Sequence, residues 1–325
     1  MQYVDFDMGG APSSLSVKEH APLSTPAGKV KVSVVSFGIN RADTLQRQGK
    51  YPAPKGESSI LGLEMAGTVI EVTDGVTEFS VGDKVFGLVA GGGYATEVIA
   101  EPSHLMPIPD GMAFFEAAGL AEVFLTAYQC LRTISHVKPA ERVLVHGGAS
   151  GVGLAALQLC RHWGVHSAVT ASSENKLLQC KENGAELLIN YHTQTFDEEV
   201  ISTWPSGVQM VLDMVGGDYL NKNLNVLSQD GRIVYLAMLA GRYADNLDMA
   251  LLLSKRATIT GTTLRNRSDA YKAELVQDFT STCLPAFSTK DLNVNVDTHY
   301  HIADITKTHA RLEANDTMGK LVVSW

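Results

Sequence analysis

Arg142 to Gly153 reads RVLVHGGASGVG. The Val-rich run Arg142–His146 predicts a strand, and Val152 to Trp163 carries the apolar period of an amphipathic helix. Between them, Gly148, Gly151 and Gly153 keep the spacing of a dinucleotide-binding turn, with Ser150 in place of the middle glycine. Glycine lets the chain turn tightly and approach a pyrophosphate. The helix that follows points its first amides and positive dipole end at the anion. The Val152 amide stands at that helix start, and the Ser150 hydroxyl is expected to face the cofactor. The plainer alternative is a glycine turn that only packs helix on strand.

Outward from this turn the chain alternates. Ser167–Ala171, Leu187–Asn190, Met210–Asp213, Arg232–Leu236 and Thr258–Gly261 read as strands, and Glu174–Asn183 and Leu220–Leu227 as helices. Strands separated by helices need crossover connections, hence a doubly wound parallel sheet. The first ~120 residues instead carry short strands such as Lys29–Ser36 and Ala66–Val72, punctuated by Gly and Pro, which suit a compact β-rich domain. Glu116–Leu131 reads as one helix and Tyr271–Phe287 as another. The tail, with a helix over His301–Glu313 and a strand over Lys320–Ser324, resembles the first region again. The expectation is an α/β protein in which a Rossmann domain, residues 123–265, is inserted between the two parts, 1–122 and 266–325, of the β-rich domain.

Composition narrows the class. Apolar residues make up 45% and charged residues 19% of the 325 positions, a globular balance. The formal net charge of -9 disfavours nucleic acid and anionic lipid. No secretory signal and no long apolar span is read, so the expected location is the cytoplasm. Cys130, Cys160, Cys180 and Cys283 are far apart and read as reduced thiols rather than disulfides or metal ligands.

The next strand sets the expected nucleotide. A carboxylate at its end would bond the ribose hydroxyls of NADH. Here the strand ends in Ala171-Ser172-Ser173, and Lys176 follows one helical turn later. Hydroxyls and an ammonium suit a 2′-phosphate, so the expected cofactor is NADPH. Glu174 complicates this unless it turns outward, and Lys176 as a solvated helix lysine is the alternative. Tyr191, after the following strand, is read as a cover for the adenine or as a packed tyrosine.

Several further stretches carry a resemblance. Asn40–Pro52 reads NRADTLQRQGKYP, Ile60–Gly67 ILGLEMAG, Ala121–Gln129 AEVFLTAYQ and Gly319–Ser324 GKLVVS. With HGGASGVG, these resemble the zinc-free quinone oxidoreductases of the medium-chain dehydrogenase/reductase superfamily over essentially the whole chain. Within that family the chain is most similar to the tumour-suppressor-inducible branch, with the zeta-crystallins more distant. The resemblance implies a GroES-like catalytic domain beside the Rossmann domain and a homodimer or homotetramer. Zinc relatives place cysteine and histidine in GxCxxD and GHE contexts. This chain has Gly38-Ile39-Asn40-Arg41-Ala42-Asp43 and Gly62-Leu63-Glu64, so Asn40 and Leu63 replace both ligands. No Lewis acid then stabilises an alkoxide, and alcohol oxidation is not expected. A quinone accepts hydride into a delocalised phenolate, and an enone into an enolate. NADPH-dependent quinone reduction is the leading expectation. Reduction of an alkenal or enone double bond, and a non-enzymatic NADPH-binding protein, are the alternatives.

The resemblance also implies site residues. Asn40 and Tyr51 are expected beside the nicotinamide as hydrogen-bond donors, against loop residues satisfying local backbone. Thr126, Val215 and Ala237 are expected near the ring, against helix back-bonding for the first and loop packing for the others. Lys320 is expected to reach the cofactor from the tail, against a surface lysine. Glu64, without a metal to serve, reads as structural. Arg265 and Arg267 are left either holding phosphates or lining a solvated loop.

Overall fold

Val30–Ile39 alternates valine with polar residues, and its Val30, Val32 and Val34 side chains are buried while Val35 faces out. That alternation makes it a strand with one face in a core. It pairs antiparallel with Glu64–Val72 on one side and with Lys320–Ser324 and Glu97–Ala100 on the other. The sheet is seven-stranded in order Val296–His301, Lys320–Ser324, Val30–Ile39, Glu64–Val72, Lys84–Leu88, Leu105–Pro107, with Glu97–Ala100 off this path. Phe37, Leu61, Met65, Val85, Tyr94 and Val323 pack its core. A separate hairpin joins Gln2–Asp5 to Ser16–Glu19.

The second sheet has six strands, all parallel, in the order Leu187–Asn190, His166–Ala171, Arg142–His146, Val208–Asp213, Leu227–Tyr235, Thr258–Gly261. In chain order this is 3-2-1-4-5-6, the doubly wound Rossmann arrangement, with its switch point between Arg142–His146 and Val208–Asp213. The computed structural model describes residues 1–325. It divides into two units, Met1–Leu125 with Leu264–Trp325, and the contiguous Thr126–Thr263. No helix is long and apolar enough to cross a membrane.

Two helices expected as single pieces are broken. Glu116–Leu131 is instead Phe114–Ala117, Ala121–Tyr128 and a π-helical Gln129–Ile134. The first break falls at Gly119. There Gly119 and Leu120 tighten onto the carbonyls of Glu116 and Ala117, and a Cβ on Gly119 would meet Val322 at 3.2 Å. Tyr271–Phe287 splits into Asp269–Thr282 and Pro285–Ser288. Pro285 has no amide to continue the ladder and suits the first position of a new helix. The strand Val296–His301 and the helices Arg41–Arg47, Phe196–Thr203 and Met249–Lys255 are additional to those the sequence pattern marked.

Candidate active site

In the Thr126–Thr263 unit, the nucleotide-site candidates lie at the carboxyl ends of the parallel strands. Gly147 takes a left-handed φ of 66° directly after Arg142–His146. A Cβ on Gly148 would stand 1.7 Å from Val169 Cγ2, and one on Gly153 2.5 Å from the Gly148 carbonyl oxygen. These glycines are therefore demanded by packing as well as by any phosphate. Ser150 caps the helix Gly151–His162, its Oγ accepting from the Gly153 amide at 3.0 Å and lying 3.4 Å from Met214 Sδ. The Ser150 hydroxyl thus has a capping duty that the sequence reading left out. Leu154 N–H returns to the Ser150 carbonyl, so the Gly151 and Val152 amides are the first-turn donors that stay outside this capping.

The neighbouring strand ends supply the rest. Ala171 is buried, and its carbonyl accepts the Tyr191 amide at 3.2 Å; the Tyr191 ring is 42% exposed. Ser173 caps the next helix by accepting from Lys176 N–H. Ser172 and the Lys176 side chain are half-buried, while Glu174 points outward. The Val215 amide bonds Asp213 Oδ1 at 2.5 Å and its carbonyl accepts Ala240 N–H at 2.8 Å. Ala237 is exposed in the loop after Leu227–Tyr235, and Thr126 is buried in the helix Ala121–Tyr128.

A buried polar chain, unmarked in the sequence reading, runs beneath these ends. Asn223 Nδ2 donates to Asp213 Oδ2 at 2.7 Å, Asn223 Oδ1 lies 2.8 Å from His146 Nε2, and His146 Nδ1 lies 3.0 Å from Thr170 Oγ1. A carboxylate only accepts, which fixes the direction of every bond. Asn223 must present its oxygen to His146 Nε2–H, and His146 Nδ1 then accepts from Thr170. Burial lowers the His146 pKa, against the opposing Asp213 charge, and favours this neutral imidazole.

In the other unit the candidates form a charged cluster. Lys320 is only 3% exposed and Glu64 fully buried. Lys320 Nζ donates to Asn40 Oδ1 at 2.7 Å, Glu64 Oε1 at 2.6 Å and the Ile39 carbonyl at 3.0 Å. An ammonium has three donors, and all are engaged here, so Lys320 is neither a surface lysine nor left with a donor for a cofactor. It fixes the Asn40 amide instead. Asn40 Oδ1 faces the ammonium while Nδ2 donates to Glu64 Oε1 at 2.9 Å. Glu64 Oε2 accepts the Glu122 amide at 2.9 Å, which gives this carboxylate its structural role.

Asp43, also buried, accepts from the Asn40 amide, the Gly62 amide and the Tyr94 hydroxyl. Burial lifts its carboxyl to about 6, tempered by those bonds and by the charges of Lys320 and Arg265. Tyr51 is half-buried, with the Arg265 guanidinium 5.7 Å from its ring centroid. Arg265 is 5% exposed and does not line a solvated loop. Its Nε donates to the Ala90 carbonyl at 2.8 Å and its Nη1 to Gln46 Oε1 at 2.7 Å. Leu63 and Glu122 line a small cavity with Arg265. The sequence reading passed over Asp43, Gln46 and Glu122; their signal is polar side chains spaced through stretches that otherwise read as core.

Comparisons with known proteins agree with this architecture. Residues 26–110 match the alcohol dehydrogenase GroES-like domain and residues 151–281 the zinc-binding dehydrogenase domain. A synaptic vesicle membrane protein VAT-1 homolog from Danio rerio is 29% identical over 323 residues, covering 95% of this chain; the chain spans 66% of that relative's length. Escherichia coli quinone oxidoreductase in complex with NADPH superposes with a TM-score of 0.90 at 26% identity, covering 100% of both chains. The CurK enoyl reductase superposes with a TM-score of 0.87 at 25% identity, covering 99% of this chain and 98% of its own. With both domain models matched in order and full-length likenesses to a quinone oxidoreductase and an enoyl reductase, the chain is an oxidoreductase of the medium-chain dehydrogenase/reductase superfamily, similar to zinc-free quinone oxidoreductases.

Proposed function

We propose that the protein is an NADPH-dependent quinone reductase that needs no metal. The observation that carries the nucleotide choice is the strand end Ala171-Ser172-Ser173 followed by Lys176, where a carboxylate would otherwise exclude a 2′-phosphate. The fit of the site rests on its donors. The Gly151 and Val152 amides head a helix whose dipole favours an anion, beside a turn, Gly147 to Ser150, that has no room for side chains at Gly148. In this reading Gly148, Ser150, Gly151 and Val152 hold the pyrophosphate, and Ala171, Ser172, Lys176 and Tyr191 the adenosine phosphate side. Thr126, Val215 and Ala237 belong to the nicotinamide side. Bound there, the dihydronicotinamide supplies hydride to an acceptor.

The other unit's residues do the rest. A quinone that takes up hydride develops negative charge on oxygen, and donors placed in a dry site stabilise it. Asn40 presents an amide whose orientation Lys320 and Glu64 fix, and Tyr51 adds a hydroxyl. The E. coli relative is a quinone oxidoreductase by name and was seen with NADPH, which supports this reading. The likeness to an enoyl reductase favours one second reading, reduction of a conjugated double bond.

Titration with NADPH and NADH is the direct test. NADPH should bind at least about tenfold tighter, roughly 1.4 kcal/mol, and Lys176→Ala should remove that preference. Equal dissociation constants would end the proposal. Quinones and alkenals compared by product separate the two acceptor readings. Turnover is expected to survive exhaustive chelation, since neither an amide nor leucine replaces a zinc ligand.

A further inference from the structure

We propose that Arg265 is the recognition residue for the acceptor's carbonyl oxygen, and that Glu122 controls whether its guanidinium is available. The inference deepens the quinone-reductase reading and rests on it. Arg265 is 5% exposed, and two of its nitrogens are held by Ala90 and Gln46. The remaining one, Nη2, is buried without any partner. A buried guanidinium N–H with no acceptor is a costly arrangement that a ligand oxygen would relieve. Arg265 lines a cavity that admits about one water molecule, or one oxygen atom of a ligand. Leu63, Leu88, Val89 and Leu264 form the apolar part of its wall, and its small volume keeps bulk water away from a charge-assisted hydrogen bond there. Leu63, at the place where zinc relatives carry a histidine, thus borders a guanidinium that offers positive charge to the oxygen.

Glu122 lines the same cavity and makes no ion pair with Arg265. Burial raises its carboxyl to about 8, helped by the Glu64 and Asp43 charges and opposed by Lys320 and Arg265. Tyr51 also faces this pair, and His104 and Lys272 complete the cavity wall. Below about 8 the carboxyl is neutral and leaves Nη2 to the acceptor. Above it, a carboxylate competes for the guanidinium. The redox step balances. Hydride brings both electrons and bonds to a ring carbon conjugated with the carbonyl facing Nη2, whose π pair moves onto its oxygen as an enolate. That carbon then gives its proton to water as the ring becomes aromatic, and water protonates both oxygens to give the hydroquinone.

Two measurements test this on the full-length protein. With NADPH and 1,4-benzoquinone, Arg265→Met should raise KM for the quinone about tenfold or more while the NADPH dissociation constant stays unchanged. Arg265→Lys should recover part of the loss and serves as the folded control. In the parent, kcat/KM for the quinone should fall above about pH 8, and Glu122→Gln should abolish that limb. Independently of turnover, 4-nitrophenol should bind with its absorbance shifted toward the phenolate, and Arg265→Met and Arg265→Lys should remove or reduce that shift. If the parent turns over quinone while both Arg265 variants keep its KM and the phenolate signal, the inference is wrong. The same holds if Glu122→Gln retains the alkaline limb. If the parent reduces no quinone yet 4-nitrophenol ionises at Arg265, the functional reading fails and the oxygen site stands.

Discussion

The nucleotide turn of the Thr126–Thr263 unit is built from backbone, whereas the buried cluster of the other unit is built from side chains. Around Gly148 and Gly153 the working groups are main-chain amides, and the side chains matter by their absence. Around Asn40 the backbone is ordinary extended strand and helix start, and an ion pair between Lys320 and Glu64 sets the position of an amide. The contrast shows two ways to preorganise donors. One removes atoms until only one backbone path remains. The other buries opposite charges until only one side-chain arrangement satisfies them. The first tolerates no added methyl group, and the second tolerates no lost charge.

The largest way to break this contrast is to remove one charge. Lys320→Met should destabilise the protein by about 3–5 kcal/mol, because Glu64 is left buried without a counter-ion. The double variant with Glu64→Gln should recover a good part of that loss in denaturant titrations. A Lys320→Met protein as stable as its parent would show that the ion pair does not hold this region.

Adding a methyl group to the turn is the next largest. Gly148→Ala should cost about 1–3 kcal/mol through overpacking against Val169. Val169→Ala should relieve it, because the clash is with a side chain. The same rescue would fail for Gly153→Ala, where the nearest atoms are backbone oxygens. NADPH affinity measured across these variants separates the packing role from the phosphate role.

The smallest expected effect belongs to Tyr51. Tyr51→Phe keeps the ring beside Arg265 and loses one hydroxyl, so turnover should fall roughly two- to twelvefold, the equivalent of about 0.5–1.5 kcal/mol. Unchanged kinetics with every quinone would take the hydroxyl out of the reaction.

The two regions also differ in how far a sequence reveals them. The turn is legible because strand, glycines and helix are contiguous, and each obeys a local rule. The parallel sheet follows from the alternation of strands and helices, whereas its strand order appears only in the structure. The cluster was only half legible. Asn40 and Lys320 were marked by their motifs, but they are 280 residues apart and their contact has no local signature. Arg265, 219 residues from Gln46, looked like loop charge. One clue was present: a lysine opening the apolar run KLVVS, and a glutamate within ILGLEMAG, are charges placed where both flanks are core. Such charges require a buried partner. The broken helices escaped for a similar reason. Apolar periodicity continued through Gly119 and up to Pro285, while packing and a missing amide interrupted the ladder.

The place of Lys320–Ser324 between Val296–His301 and Val30–Ile39 has a consequence for biosynthesis. The Thr126–Thr263 unit is contiguous and has all its strands once Gly261 has left the ribosome. The other unit must hold its first 125 residues in waiting until a strand some 200 residues later arrives to pair with Ser36–Ile39. A chain cut at Gly319 would carry every residue of the nucleotide turn, yet would expose one edge of Val30–Ile39 and leave Glu64 without its ammonium. Such a fragment would present an unpaired strand to other chains. Truncated copies of this protein are therefore expected to be substrates for chaperones and proteases rather than silent bystanders.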